Sequence, residues 1–224
     1  MPRWAQGPAA KGGKKWLQIL VNERPDLINA LLATELQCVA ESIRWRSPLR
    51  DDDYAEYSDQ EFVDRLGVSL KQVPLKAFWP RNGPHWDALA NTRRGGVILV
   101  EAKAHIPELV SDPTQASGGS RAKIRRALGK TKAFVGSHAQ ADWATCFYQY
   151  TNRLAHLYLL RKLNKLPAYL LFVYFLNDKE MGGPTTKLEW EAAIALLEEF
   201  LGIRERHSLS AYVVRAFVDV ERLK

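Results

Sequence analysis

Residues 84–105 read PHWDALANTRRGGVILVEAKAH, and this stretch decides the predicted fold. Four apolar residues, VILV at 97–100, lead directly into Glu101, Ala102 and Lys103. Alternate residues of a strand share a face, so Glu101 and Lys103 project to the same side. A strand that is apolar on both faces lies in the centre of a sheet. Its charged pair must therefore border a cleft or be tightly paired, because unpaired buried charge costs several kcal/mol.

The segment NTRRGG at 91–96 predicts a hairpin, because its two glycines permit positive φ angles. Such a hairpin would bring Asp87 beside Glu101. Two adjacent carboxylates repel, and one takes up a proton unless a hard cation lies between them. Mg²⁺ accepts this pair and retains waters for hydrolysis, and Lys103 would orient the attacking water. The alternative for this pattern is a cross-strand salt bridge on a solvated face.

A further carboxylate is predicted on a helix that begins at Pro25 and runs to about Trp45. On a helical wheel, Glu35 lies within the apolar arc of this helix. A carboxylate there is costly unless it meets a cation or hydrogen-bond donors. Glu35 is therefore a candidate fourth member of the site. A buried glutamate satisfied by one arginine or by backbone amides is the alternative.

The sequence predicts another long helix over residues 139–163, with a polar stripe that includes Gln149, Asn152 and Arg153. Exposed helix faces usually favour Lys and Glu, whereas this stripe carries amides and an arginine. It suits contact with a substrate backbone or with Lys103. An ordinary solvated helix face stays open as the other interpretation.

The chain has a formal charge of +7, and part of the excess is concentrated on a predicted helix over residues 121–135. Clustered cations are the electrostatic footprint of phosphate binding, so we expect a nucleic-acid partner, DNA in the first place. A solvated basic helix is the alternative. The candidate contacts are Arg121, Lys123, Arg125, Arg126, Lys130 and Lys132, with Asn152 and Arg153 from the next helix.

Strand-like segments are predicted at residues 68–78, where Pro74 indicates an edge or broken strand, and at 85–90 and 97–104. The apolar strand AYLLFVYFL (168–176) follows the long helix, and a helix near 187–201 and the strand AYVVRAFVDV (211–220) complete the pattern. This order predicts an α/β fold with a central mixed sheet flanked by helices.

Residues 1–15 are rich in Gly, Ala, Pro and Lys and predict a flexible basic tail, followed by a single domain over 16–224. The sequence contains no run of about 18 apolar residues, so no membrane span is predicted. Two cysteines without metal-ligand spacing predict a reduced protein of the cytoplasm.

The strand VILVEAK, preceded across a hairpin by HWDALA, resembles the PD-(D/E)XK nuclease superfamily, which has the restriction-endonuclease-like fold. The helical Glu35 upstream and Gln149 downstream extend this resemblance. The αβββαβ core of that superfamily would cover about residues 25–178, with a helix–strand extension over 179–224. The motif differs from the family pattern in two respects. Trp86 directly precedes Asp87, with the proline at Pro84, and Arg153 lies four residues after Gln149, where the family often has tyrosine.

The resemblance implies a role for each residue of the site. Asp87 and Glu101 would bind Mg²⁺, for which Mn²⁺ can substitute, and the Ala102 carbonyl would add a third ligand. Lys103 would be the catalytic lysine. Glu35 would be the first-helix acid and Gln149 the glutamine of the helix motif. The product would carry a 5′-phosphate.

These observations favour a metal-dependent phosphodiesterase that hydrolyses nucleic acid. A second hypothesis is a catalytically inactive protein of the same fold that binds nucleic acid or a partner protein. A third is a basic α/β interaction protein whose charged strand residues are structural. The sequence leaves a homodimer open.

Overall fold

A computed structural model describes residues 3–36 and 43–224. Within them the chain forms seven α-helices and seven β-strands. The helices are α1 (Gly12–Asn22), α2 (Pro25–Glu35), α3 (Asp59–Arg65), α4 (Leu75–Phe78), α5 (Gly118–Val135), α6 (Tyr148–Tyr158) and α7 (Lys187–Leu201). The strands are β1 (Arg3–Trp4), β2 (Ile43–Ser47), β3 (Glu56–Tyr57), β4 (Ala88–Thr92), β5 (Val97–Lys103), β6 (Ala168–Leu176) and β7 (Val213–Asp219).

Five of the strands form one mixed sheet in the order β2-β4-β5-β6-β7. Strands β2, β4 and β5 pair antiparallel, whereas β5, β6 and β7 pair parallel. Strand β5 lies in the middle, and all seven of its residues are buried. The continuous apolar run at 97–100 is the composition expected of a strand covered on both faces.

Helices cover both faces of this sheet. Val97 and Leu99 of β5 belong to the hydrophobic cluster that contains residues of α5, α6 and α7. Ile98 and Val100 belong to the cluster on the other face, with residues of α1 and α2. Strand alternation therefore directs Glu101, in phase with Val97 and Leu99, toward α6.

The predicted α/β class with a mixed sheet flanked by helices is confirmed. The hairpin between β4 and β5 is present, with Ala88 opposite Val100 and Gly95 at φ +79°. The predicted basic helix, the strand at 168–176 and the last helix and strand also form. In the described part of the chain, no helix has both the length and the apolar character needed to cross a membrane.

Three local predictions were wrong. The helix predicted from Pro25 to Trp45 ends at Glu35; residues 37–42 lie outside the described part, and Ile43–Ser47 is a strand. The edge or broken strand predicted over residues 68–78 does not form, because residues 68–74 are irregular and α4 begins directly after Pro74. The helix predicted from residue 139 begins only at Tyr148, because Phe147 has a left-handed backbone, φ +56°.

The prediction of a flexible tail over residues 1–15 is also wrong for its described part. Arg3 and Trp4 pair antiparallel with β3, and α1 begins at Gly12. Gly13 packs so close to β5 that an added Cβ would lie 3.2 Å from the Ala102 carbonyl oxygen. The N-terminal segment is therefore part of the folded unit, and it reaches the end of the central strand.

We predict that the buried His156 makes stability depend on pH. Its ring centroid lies 4.9 Å from that of Trp79 and 5.7 Å from that of Trp86, and its Nδ1 bonds to the Asn152 carbonyl at 2.8 Å. Burial lowers the pKa of His156 to about 4. Between pH 6.5 and about 4 this histidine is protonated in the unfolded chain but neutral in the folded protein. The free energy of unfolding therefore decreases as the pH falls through this range, by roughly 3 kcal/mol in total.

Urea unfolding at several pH values checks this prediction. The His156→Gln variant has no group to titrate at this position, so its loss of stability across the same pH window should be smaller. Equal slopes for the wild type and the variant would contradict it.

Candidate active site

The hairpin places Asp87 against the end of β5. Asp87 comes just before β4, and the register pairs Ala88 with Val100, so Asp87 comes level with Glu101. Its Oδ2 accepts a hydrogen bond of 2.8 Å from the backbone N–H of Ala102. The predicted neighbourhood of these two carboxylates is therefore present.

Glu101 is buried and is held by two cations, one at each carboxylate oxygen. Lys103 Nζ lies 2.6 Å from Oε1, and Arg153 Nε lies 2.6 Å from Oε2. The exposed fractions of Glu101, Lys103 and Arg153 are 2%, 8% and 3%. Buried charges of this kind are tolerated only when they are paired and hydrogen-bonded, and all three residues meet that condition.

Helix α6 supplies the partners of this ion cluster from one face. Gln149 and Arg153 are four residues apart and so lie one above the other. Gln149 Oε1 accepts a bond of 2.7 Å from Lys103 Nζ. Arg153 also donates to the His85 carbonyl at 2.8 Å, and its guanidinium lies 4.7 Å from the ring centroid of Trp86. The predicted contact between the α6 stripe and Lys103 is thus formed.

The two carboxylates differ in protonation. Burial, together with the charges of Glu101 and Glu56, raises the pKa of Asp87 to about 8. Burial also disfavours ionised Glu101, but the Arg153 and Lys103 cations outweigh it and lower the pKa of Glu101. Burial alone would lower the pKa of Lys103, but the negative charges of Glu101 and Asp87 outweigh this effect and raise it. The cluster therefore combines an Asp87 whose ionised form is disfavoured with a Glu101 whose ionised form is favoured.

A cleft of about 860 Å³ opens beside Asp87. The half-exposed Asp87 and Gln149 face it, so the end of β5 is accessible from outside through these two side chains. Charged and polar residues predominate in its lining, which also includes Gln6, Lys14, Glu56, His85, Ser111, Asn152 and Arg153. The arrangement can present a carboxyl group and a lysine-bound amide to a ligand in the cleft.

Three charged residues of the cleft, Glu56, Lys14 and Asp112, were not predicted as site residues from the sequence. Glu56, on β3, is buried, and its Oε1 lies 2.8 Å from Lys14 Nζ of α1. Glu56 also contributes to the raised pKa of Asp87. No sequence signal marked this pair, because β3 has two residues and shows no periodicity.

The structure contradicts the predicted position of Glu35. Glu35 is the last residue of α2 and is exposed, so it is not part of a buried apolar face. It lines a separate cavity of about 270 Å³ with Lys187 and Arg215, near the β7 edge of the sheet. The prediction failed because α2 ends at Glu35, ten residues before Trp45, so Glu35 lies at the exposed end of the helix.

No group of three or more His, Cys, Asp or Glu side chains in residues 3–36 and 43–224 is arranged to hold a metal ion. Two carboxylates, of Asp87 and Glu101, meet at the end of β5, and Mg²⁺ often takes only one or two carboxylates and keeps its waters. Burial and the charges of Glu101 and Glu56 raise the pKa of Asp87, and a cation at this position would favour its ionised form. The oxygen donors therefore suit a hard cation, while both oxygens of Glu101 already have cationic partners.

The residues predicted to bind nucleic acid differ in their exposure to solvent. Most of those on α5 are exposed, although Arg125 pairs with Asp142 at 2.7 Å. Lys132 is half-buried and donates to the carbonyls of Ala139 and Ala141, which is a structural role. The exposed residues are Arg121, Arg125, Arg126 and Lys130; Lys123 is half-buried, and Asn152 and Arg153 are buried at the cleft.

Comparisons of the chain with family models, with curated proteins and with solved structures found no match. The function is therefore inferred from the geometry of the site.

We predict that Arg153 and Glu101 are energetically coupled. Arg153→Met leaves a buried carboxylate with one cation fewer and should lower the free energy of unfolding by about 3–5 kcal/mol. Glu101→Gln in the same chain should restore part of this loss, because the buried carboxylate is then absent and Lys103 keeps its hydrogen bond to Gln149. Denaturant unfolding of the wild type, both single variants and the double variant measures the coupling.

Additive effects of the two substitutions would contradict the prediction. Arg125→Met is a matched control, since its ion pair with Asp142 is exposed and should contribute less than about 1 kcal/mol.

Proposed function

We propose that this protein is a metal-dependent nuclease of the PD-(D/E)XK type. The observation that carries the proposal is the contact of Lys103 with both Glu101 and Gln149, at the end of the strand where Asp87 lies. Chance occurrence of the sequence pattern would not require Gln149, from a separate helix, to bind this lysine. The restriction-endonuclease-like αβββαβ core is part of the same proposal.

In this proposal Asp87, Glu101 and the Ala102 carbonyl hold Mg²⁺, or Mn²⁺ in its place. The cation would polarise the scissile phosphate and lower the pKa of a bound water. Lys103 would orient the attacking water and stabilise negative charge on the phosphoryl oxygens. Gln149 holds the Lys103 ammonium in position from the other side, with a bond of 2.7 Å.

Arg153 has a supporting role in this arrangement. Its guanidinium keeps Glu101 ionised at 2% exposure, and a deprotonated carboxylate is the form that binds a cation. The Arg153 bond to the His85 carbonyl also ties α6 to the chain just before Asp87. We infer that it positions the two carboxylates relative to each other.

Nucleic acid is the proposed substrate, with DNA expected before RNA. The net charge of +7 favours a polyanion, and the exposed cations of α5 provide phosphate contacts outside the cleft. The cleft itself would take the scissile segment. A homodimer stays part of this proposal without an assigned surface.

A second candidate is an inactive binding protein of the same fold. The specific observation that favours it is the saturation of Glu101 by Lys103 and Arg153, which act as internal counter-ions. Such a protein would bind nucleic acid through its basic surface without a metal. Metal-dependent cleavage separates the two candidates.

We predict cleavage of labelled DNA or RNA by the purified protein in Mg²⁺ or Mn²⁺ and none in EDTA. Asp87→Asn removes a ligand and Lys103→Met removes the ammonium, so each should lower the cleavage rate by about 100-fold or more. Gel analysis of single- and double-stranded substrates measures both effects.

Two exposed residues outside the cleft provide matched controls for these variants. Glu205→Gln and Lys179→Met remove the same types of charge and should leave the rate unchanged. Cleavage that persists in Asp87→Asn and Lys103→Met would contradict the proposed site. Nucleic-acid binding without cleavage under any metal would favour the inactive binding protein.

We propose that Glu56, and not the predicted Glu35, is the further acid that acts on this site. Glu56→Gln should shift the acid limb of the pH–rate profile of cleavage to lower pH, because Glu56 lines the cleft and raises the pKa of Asp87. Glu35→Gln should have no effect, since Glu35 lines a different cavity. Comparison of the two pH–rate profiles under identical conditions tests this; a shift confined to Glu35→Gln would restore the sequence-based assignment.

A further inference from the structure

Trp4 is more exposed than any other tryptophan of the chain. Trp4 is 59% exposed, whereas five of the seven tryptophans are at most 6% exposed and Trp45 is half-buried. Exposure of a large ring removes it from the core, where it would contribute most to stability. A ligand that covers the ring would recover this loss.

Strand pairing fixes Trp4 at the cleft. Trp4 lies opposite Glu56 in the β1–β3 ribbon, and residues that face each other in a strand pair project to the same side. Its ring is edge-to-face with that of His85, with the centroids 6.0 Å apart. Trp4, Glu56, His85 and Asp87 all line the cleft of about 860 Å³.

A second exposed apolar side chain lies in the same cleft. Val110, 65% exposed, is among its lining residues, while the rest of the lining is mainly polar or charged. The cleft therefore offers two apolar contacts beside a proposed phosphate-binding centre. A nucleotide has this combination, because its base presents flat apolar faces and its phosphate carries the charge.

A neighbouring cavity of about 770 Å³ shares His85 with the lining of the cleft. Cationic side chains, those of Lys76, Arg81 and Lys123, contribute to its lining. A strand whose scissile phosphate lies at Asp87 would find positive charge for its adjoining phosphates in this cavity.

We infer that the proposed nuclease acts on nucleic acid that is unpaired at the cleft, with a base next to the scissile phosphate stacked on Trp4. In an intact duplex both faces of each internal base are covered by neighbouring bases. An indole can stack fully only on a base that is single-stranded, frayed or extruded. This inference rests on the proposed function and specifies its substrate class.

The test measures binding in EDTA, so that it does not depend on cleavage. Oligonucleotides of about 12 nucleotides, within the usual footprint of single-strand sites, are compared with duplexes of the same length by fluorescence anisotropy. Trp4→Ala should weaken single-strand binding by about 10- to 100-fold and leave duplex binding unchanged. Trp4→Phe keeps an aromatic face and should restore most of the affinity.

Two further measurements locate the contact. Single bases are replaced by abasic sites, one position at a time, and binding to the wild type and to Trp4→Ala is compared. At the position of the stacked base, Trp4→Ala should cause no further loss of affinity. Leu196→Ala removes another exposed apolar side chain, 72% exposed on α7, and should leave binding unchanged.

The outcomes separate this inference from the nuclease proposal. Equal losses on single strands and duplexes, or no loss in Trp4→Ala, would overturn the stacking inference, while metal-dependent cleavage that requires Asp87 and Lys103 would leave the nuclease proposal intact. Wild-type protein that neither binds nor cleaves nucleic acid would overturn both.

Discussion

The burial of Glu101 at the end of the central strand is the constraint on which the site depends. A carboxylate at 2% exposure requires compensation, and strand β5 supplies one cation, Lys103, two residues later. The second, Arg153, comes from α6, more than fifty residues away in the chain. Because this pair must form, α6 has to pack with one particular face against β5. The electrostatic requirement of one residue thus fixes the arrangement of a helix on the sheet.

The parts of this site that the sequence predicted are those with local signals. The hairpin follows from its glycines, and the common direction of Glu101 and Lys103 follows from strand alternation. Gln149 was also identified, although its helix is shorter than predicted; its spacing from Arg153 does not depend on where α6 begins. By contrast, the placement of Glu35 required the full helix to residue 45, so one wrong boundary removed it from the site.

What the sequence could not predict depends on contacts between distant segments. Glu56 and Lys14 form an ion pair of 2.8 Å across separate elements, and neither lies in a periodic pattern. Trp4 pairs through a strand of two residues in a segment whose composition is typical of a flexible tail. Composition describes the average tendency of a segment, whereas a few specific contacts are enough to order it. Here they add three residues to the cleft.

Both oxygens of Glu101 already have cationic partners, Lys103 and Arg153. A metal ion can still bind Glu101 if it displaces Lys103 from Oε1. Lys103 has an alternative acceptor, because Gln149 Oε1 holds its ammonium at 2.7 Å. A metal ion that takes Glu101 Oε1 would therefore weaken one ion pair without leaving Lys103 unpartnered, while Arg153 stays on Oε2. The raised pKa of Asp87 favours its protonated form, and a cation that binds there would displace this proton to the solvent. On this argument the lysine is a counter-ion in the free protein and becomes available to orient water once Glu101 is shared, which is the change of partner that the proposed reaction needs.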